Sequence, residues 1–199
     1  LAVFLLLSGK ARYFRQAPNA ITILNGILLA AFMLGFLAAI QTIHLANAIM
    51  IVYLAPPVTA VIAHWWFGET LGLKSVLWIA LALLGFAMLQ SVEFQLSESM
   101  LLTEGYRYAL LSLAAYSAYL LLNRQPSADH PVLQRTFYQL LVGACCLLPF
   151  LTQLQFPPAQ AWLWIALAGI FPGFLAILCA VIALAHLPNR VYGTLAYIE

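Results

Sequence analysis

The chain has 199 residues, 65% of them hydrophobic and 7% charged, with a formal net charge of +2. An average soluble domain carries about a quarter charged residues, and eight Lys/Arg with six Asp/Glu cannot cover a water-soluble domain of this size. That composition excludes soluble enzymes, disulfide-built secreted scaffolds and nucleic-acid binders, and it places the chain in lipid.

Taken in chain order, the first apolar run, residues 1–7, is far shorter than the roughly 20 residues of a spanning helix. No basic segment precedes it and no small-residue cleavage site follows, so it is not a secretory signal. It reads as the stub of a helix. From Arg15 to Glu69 the chain then carries no Lys, Arg, Asp or Glu between those two residues, which is long enough for two crossings and too long for one. The sequence His44-Leu45-Ala46-Asn47 divides it into spans at 20–43 and 46–67. Four further spans are expected at 75–92, 108–122, 136–154 and 161–187, and residues 189–199 form a second stub. Both ends therefore read as cut. Backbone amides in hydrocarbon must be satisfied within their own segment, and these runs are too continuously apolar for barrel strands. The expected fold is all-α: a polytopic membrane helix bundle, with about six complete and two partial helices here.

The loops test that count. Crossing by crossing, one side receives Lys10, Arg12, Arg15, Lys74, Arg124, Arg135 and Arg190, and the other receives Arg107 with Glu93, Glu98 and Glu104. This is the positive-inside asymmetry; it assigns the basic side to the cytoplasm. Trp65, Trp66, Trp78, Trp162 and Trp164 fall near span ends, where indole rings anchor at the interface. Cys145, Cys146 and Cys179 have no metal or disulfide spacing and read as apolar filler.

The turn at His44–Asn47 recurs as His186-Leu187-Pro188-Asn189, and each copy precedes a helix bearing a tyrosine (Tyr53, Tyr192). An odd number of crossings separates the copies, so they fall on opposite sides of the membrane. Like units in opposite orientation are the layout of many secondary transporters. Leu54-Ala55-Pro56-Pro57-Val58-Thr59-Ala60, running to Phe67-Gly68-Glu69-Thr70-Leu71, resembles the helix-four signature of the EamA-type repeat in the drug/metabolite transporter superfamily. Leu83 to Leu89 resembles the helix that closes that repeat, and Thr194 to Glu199 the start of the matching signature in the second. The resemblance implies ten helices in two inverted five-helix repeats, with the first and last helices outside this chain. Residues 1–92 then form the first repeat, 93–107 an extracytoplasmic connection and 108–199 the second repeat. The first repeat has no acidic residue before Pro56, so a role for Glu199 does not carry to both halves.

Several residues are candidates for a solute pathway. Pro56-Pro57 sits mid-span, where proline removes a donor and clashes with the preceding turn. Pro172, within Gly169-Ile170-Phe171-Pro172-Gly173, is a second break, whose two glycines allow close helix contact. Tyr108, Ser112, Tyr116, Tyr119 and Asn123 step by four, four, three and four along one helix face. A lipid-facing row would be aliphatic, so this row lines either a cavity or a neighbouring helix. Tyr53 with His64, and Tyr192 with Glu199, share faces of their helices. Asn25 and Gln41 fall on nearly opposite faces, so at most one points inward. His64 beside two tryptophans reads as a wet interfacial anchor, and Glu199, a carboxylate within a span, as a functional candidate.

The expected function is transport of a small organic solute across the cytoplasmic membrane, in the direction of export by resemblance, through Tyr53, Tyr116, Tyr119, Tyr192 and Glu199. No cofactor, metal or nucleic acid is expected, and the implied partners are the solute and the lipid bilayer. The rivals are a structural or receptor membrane protein and an intramembrane enzyme. Against the enzyme stand four scattered histidines and no nucleophile beside a base.

Overall fold

A computed structural model describes residues 17–68, 76–77, 80–81, 84, 88, 104–124, 132–151 and 158–187. All regular structure among them is helical: α1 (Ala20–Ile40), α2 (Leu45–Val52), α3 (Ala55–Phe67), α4 (Glu104–Arg124), α5 (Val132–Leu151), α6 (Ala161–Ala168), a π-helical segment (Gly169–Ala176) and α7 (Ile177–His186). The described residues of the expected 75–92 span are helical as well.

Among the described residues, three stretches are long and apolar enough to cross a bilayer: Ala20–Ile40, Leu45–Phe67 and Ala161–Ala183, of 21, 23 and 23 residues. At 1.5 Å per residue each reaches roughly 30–35 Å, the thickness of the hydrocarbon core. Helices α4 and α5 have comparable lengths of 21 and 20 residues. They are more polar, because α4 has Glu104, Arg107 and Arg124 toward its ends and α5 places Gln134, Arg135, Thr136 and Gln139 in its first turns.

The chain packs as two compact units, and α1 contributes to both. The first holds residues 17–30, α5 and the run from α6 to α7. On α1 the buried positions Thr22, Asn25, Gly26 and Leu29 form one helical stripe. Gly26 makes the approach possible: a Cβ there would lie 2.6 Å from Val142 Cβ and 2.8 Å from the Gln139 carbonyl oxygen. Gly143 returns the contact, its own Cβ position lying 3.3 Å from the Gly26 carbonyl oxygen. Glycines of this kind let membrane helices gain packing that side chains would block. In the same unit α5 also packs on α7.

The second unit holds residues 31–68 and α4 among its described parts. Helices α2 and α3 both pack on α4. Ala39, Ala48 and Ala109 are fully buried at its centre, covered by Phe36, Ile40, Ile43 and Ile51. Small side chains again set the distance: a Cβ on Gly35 would lie 3.0 Å from the Tyr108 carbonyl oxygen and 3.2 Å from the Ser112 nitrogen. Gly105 is pressed against Thr42 and Ile43. Asn47, in the first turn of α2, donates from Nδ2 to the Tyr106 hydroxyl at 3.2 Å.

Helix α6 and the π-helical segment expose Trp162, Trp164, Ile170 and Phe171. In water a face of that kind would drive association; lipid tails solvate it without cost.

Candidate functional site

The 23-residue stretch Leu45–Phe67 is not one continuous helix. It breaks at Tyr53 and Leu54, which lie between α2 and α3. Pro56 and Pro57 are the cause. Neither has an N–H, so the Val52 and Tyr53 carbonyls lose the donors that a continuous helix would supply, and each ring clashes with those same carbonyls. Tyr53 (φ −68°, ψ −8°) and Leu54 (φ −73°, ψ −11°) adjust by tightening, with Leu54 N–H donating to Ile51 O at 3.1 Å. Helix α3 restarts through Val58 N–H to Leu54 O at 3.0 Å, and the Thr59 hydroxyl donates to Pro56 O at 2.8 Å. Both prolines are buried, and Tyr53 is half-buried at the break. The far end of α3 closes on Gly68 at φ +66°, the left-handed cap that glycine adopts without Cβ strain. His64, Trp65 and Trp66 lie exposed just before it.

The tyrosine-bearing face of α4 meets the second half of α1. Tyr116 stacks on Phe32 with ring centroids 4.7 Å apart, and Phe32–Phe36 and Tyr116–Tyr119 continue the run at 6.3 Å each. Aromatic pairs of this geometry contribute about 0.5–1.5 kcal/mol each beyond their burial. Exposure changes along the row: Tyr108 is 41% exposed, Tyr116 half-buried and Tyr119 buried. Two of its polar members bond to backbone. The Ser112 hydroxyl donates to Phe32 O at 3.1 Å and Asn123 Nδ2 to Tyr119 O at 3.0 Å.

Of the other candidates, Tyr192 and Glu199 lie outside the described residues. Pro172 lies within the π-helical segment, whose wider turn accommodates the missing amide. The close helix contact expected at its flanking glycines is not made by the described residues. A Cβ on Gly169 would meet nothing within 4 Å, and one on Gly173 would meet only Ala168 O of its own helical run. The reason is orientation, since Ile170 and Phe171 beside them are more than half exposed. Among the described residues, no group of three His, Cys, Asp or Glu could hold a metal.

Sequence reasoning gave too little weight to one polar group. Asn25 is fully buried, whereas Gln41 is exposed, so Asn25 is the inward member of that pair. Neither its amide nitrogen nor its carbonyl oxygen has a hydrogen-bond partner. Leaving such a group unsatisfied costs roughly 1–3 kcal/mol. On α5 of the same unit, Gln134, Arg135, Thr136 and Gln139 are also buried. Five polar residues within eight positions of an otherwise apolar helix, Tyr138 being the fifth, were the available signal.

Apolar spanning helices, one broken at a buried proline pair and others lined with buried polar groups, define a polytopic membrane protein. The chain belongs to the EamA-like transporter family, whose description it matches over residues 1–90 and 103–199. It is also similar to an uncharacterized transporter of Archaeoglobus fulgidus, with 28% identity over 138 residues, or 69% of this chain and 48% of that relative. The match thus spans about half the relative's length.

Proposed function

We propose that the whole protein carries a small organic solute across the plasma membrane by alternating access, in the direction of export. The observation that carries this reading is the break at Tyr53–Leu54. A continuous apolar helix needs no broken backbone in hydrocarbon, and irregular backbone at membrane depth is tolerated where it is packed in protein or lines a cavity. The two missing amides at Pro56 and Pro57 interrupt the backbone ladder inside this spanning stretch, the kind of discontinuity that transporter helices carry at their binding sites. Tyr53, Tyr116 and Tyr119 add aromatic surface with hydroxyls, which suits a neutral or amphipathic solute. Tyr192 and Glu199 are proposed for the same pathway from sequence alone. Two separate family matches, over 1–90 and 103–199, support two inverted repeats at 1–92 and 108–199 joined by 93–107.

The test is flux in proteoliposomes of the full-length protein, using a panel of labelled neutral and amphipathic solutes. Saturable flux is expected, and Pro56→Ala with Pro57→Ala should cut it at least about tenfold while melting stays level or rises, because restored amides heal the helix. Flux unchanged in that variant would make the break a packing kink. No saturable flux for any solute would remove the transport reading itself.

A further inference from the structure

Resting on the transport reading, we infer that Asn25 is a hydrogen-bonding station on the solute pathway, taking a neutral group that both donates and accepts, such as a carboxamide or hydroxyl.

Asn25 lies five residues into α1, about 7–8 Å along the helix axis from its start at 1.5 Å per residue. Gly26 is seated on the Gln139 carbonyl and Val142 of α5, which fixes the register of the two helices. Asn25 therefore stands level with Gln139, and Thr22 one turn earlier on the same buried stripe; all three are at most 2% exposed. A carboxamide presents two N–H donors and a carbonyl acceptor, and at Asn25 both ends are buried without a partner. Packing alone would favour an aliphatic residue here, because an uncompensated amide in an apolar interior is a standing penalty. Polar residues inside a membrane span are costly and tend to face the bundle interior or a water-filled cavity. The complement is a neutral group with a donor and an acceptor of its own. A neutral amide cannot repay the desolvation of a full charge, so carboxylates and ammonium groups are poor occupants of this station.

The full-length protein in nanodiscs tests this with three probes of equal ring size. Benzamide carries donor and acceptor, acetophenone keeps the acceptor only, and benzoate is charged. Wild type should bind benzamide about three- to tenfold more tightly than either of the others, the range expected for one neutral hydrogen bond. Asn25→Leu should bring benzamide level with acetophenone, with melting unchanged or raised. Asn25→Ala repeats the comparison should the leucine variant not fold. Leu29→Val, one turn on along the same stripe, should keep the benzamide preference. Equal binding of benzamide and acceptor-only acetophenone by wild type overturns the proposal, as does a preference that survives both Asn25 variants. Flux separates the two readings. Asn25-dependent binding without flux into vesicles supports the station and sinks transport, whereas benzamide flux indifferent to Asn25 sinks the station and leaves transport standing.

Discussion

At the residue scale, glycine acts in two opposite ways in this chain. Gly26 is a contact: an added methyl would sit 2.6 Å from Val142 Cβ and 2.8 Å from the Gln139 carbonyl oxygen, and backbone on the far side cannot swing away. Gly26→Ala should therefore force α1 and α5 apart and cost about 1–3 kcal/mol, the range for overpacking. Gly169 has helical backbone angles and open space around its Cβ position. Gly169→Ala should instead gain about 0.5–1 kcal/mol by removing backbone freedom from the unfolded chain. Thermal unfolding in one detergent reads both. Equal effects of the two substitutions would remove the contact from the account of Gly26. The sequence drew attention to the glycines around Pro172, which meet no neighbouring helix among the described residues, while the contact at Gly26 carried no sequence signal. Spacing along a single helix says nothing about where the neighbouring helix lies.

At the scale of the element, α4 separates what periodicity can tell from what it cannot. The steps of four, four, three and four joined Tyr108 to Asn123 on one face, and the face exists: it carries the stack on Phe32. What covers each member was not legible. Tyr108 at one end is 41% exposed although Gly35 of α1 lies against its carbonyl, and Tyr119 toward the other end is 4% exposed. Tyr119→Ala should therefore be costly for stability, about 3–5 kcal/mol by analogy with other large buried truncations. Leu121→Ala, at a half-buried position off that row, should cost clearly less. Unfolding in mild detergent distinguishes them, and a Tyr119→Ala loss no greater than that at Leu121 would show that the ring is not part of the packed stack. The proline break was more legible than the stripe. Two consecutive missing amides dictate a local break wherever they fall in a helix interior, whereas burial of a tyrosine depends on a partner contributed from elsewhere in the chain.

At the scale of the whole molecule, the division of charge makes a claim that needs no side-chain geometry. Seven of the eight basic residues fall on one side of the proposed crossings, and inserting or deleting one span would scramble that pattern. The same count puts the two copies of the His-Leu-x-Asn turn on opposite faces. Both copies offer accessible positions: Gln41 is exposed beside the first, and His186 is exposed in the second. His186 Nδ1 lies 2.9 Å from Ile182 O within its own helix, so losing that ring removes a local bond and leaves packing between helices intact. With Cys145, Cys146 and Cys179 replaced by serine, single cysteines at Gln41 and His186 should react with an impermeant maleimide from opposite sides, Gln41 from outside and His186 from the cytoplasm. Ala17, exposed just before α1, should label with His186. The positive-inside preference acts on short loops such as these, and one elementary inversion of either turn would move it across about 30 Å of hydrocarbon. Labelling of Gln41 and His186 from the same side would mean an even number of crossings between them. That result would end the inverted-repeat reading and leave the family membership untouched.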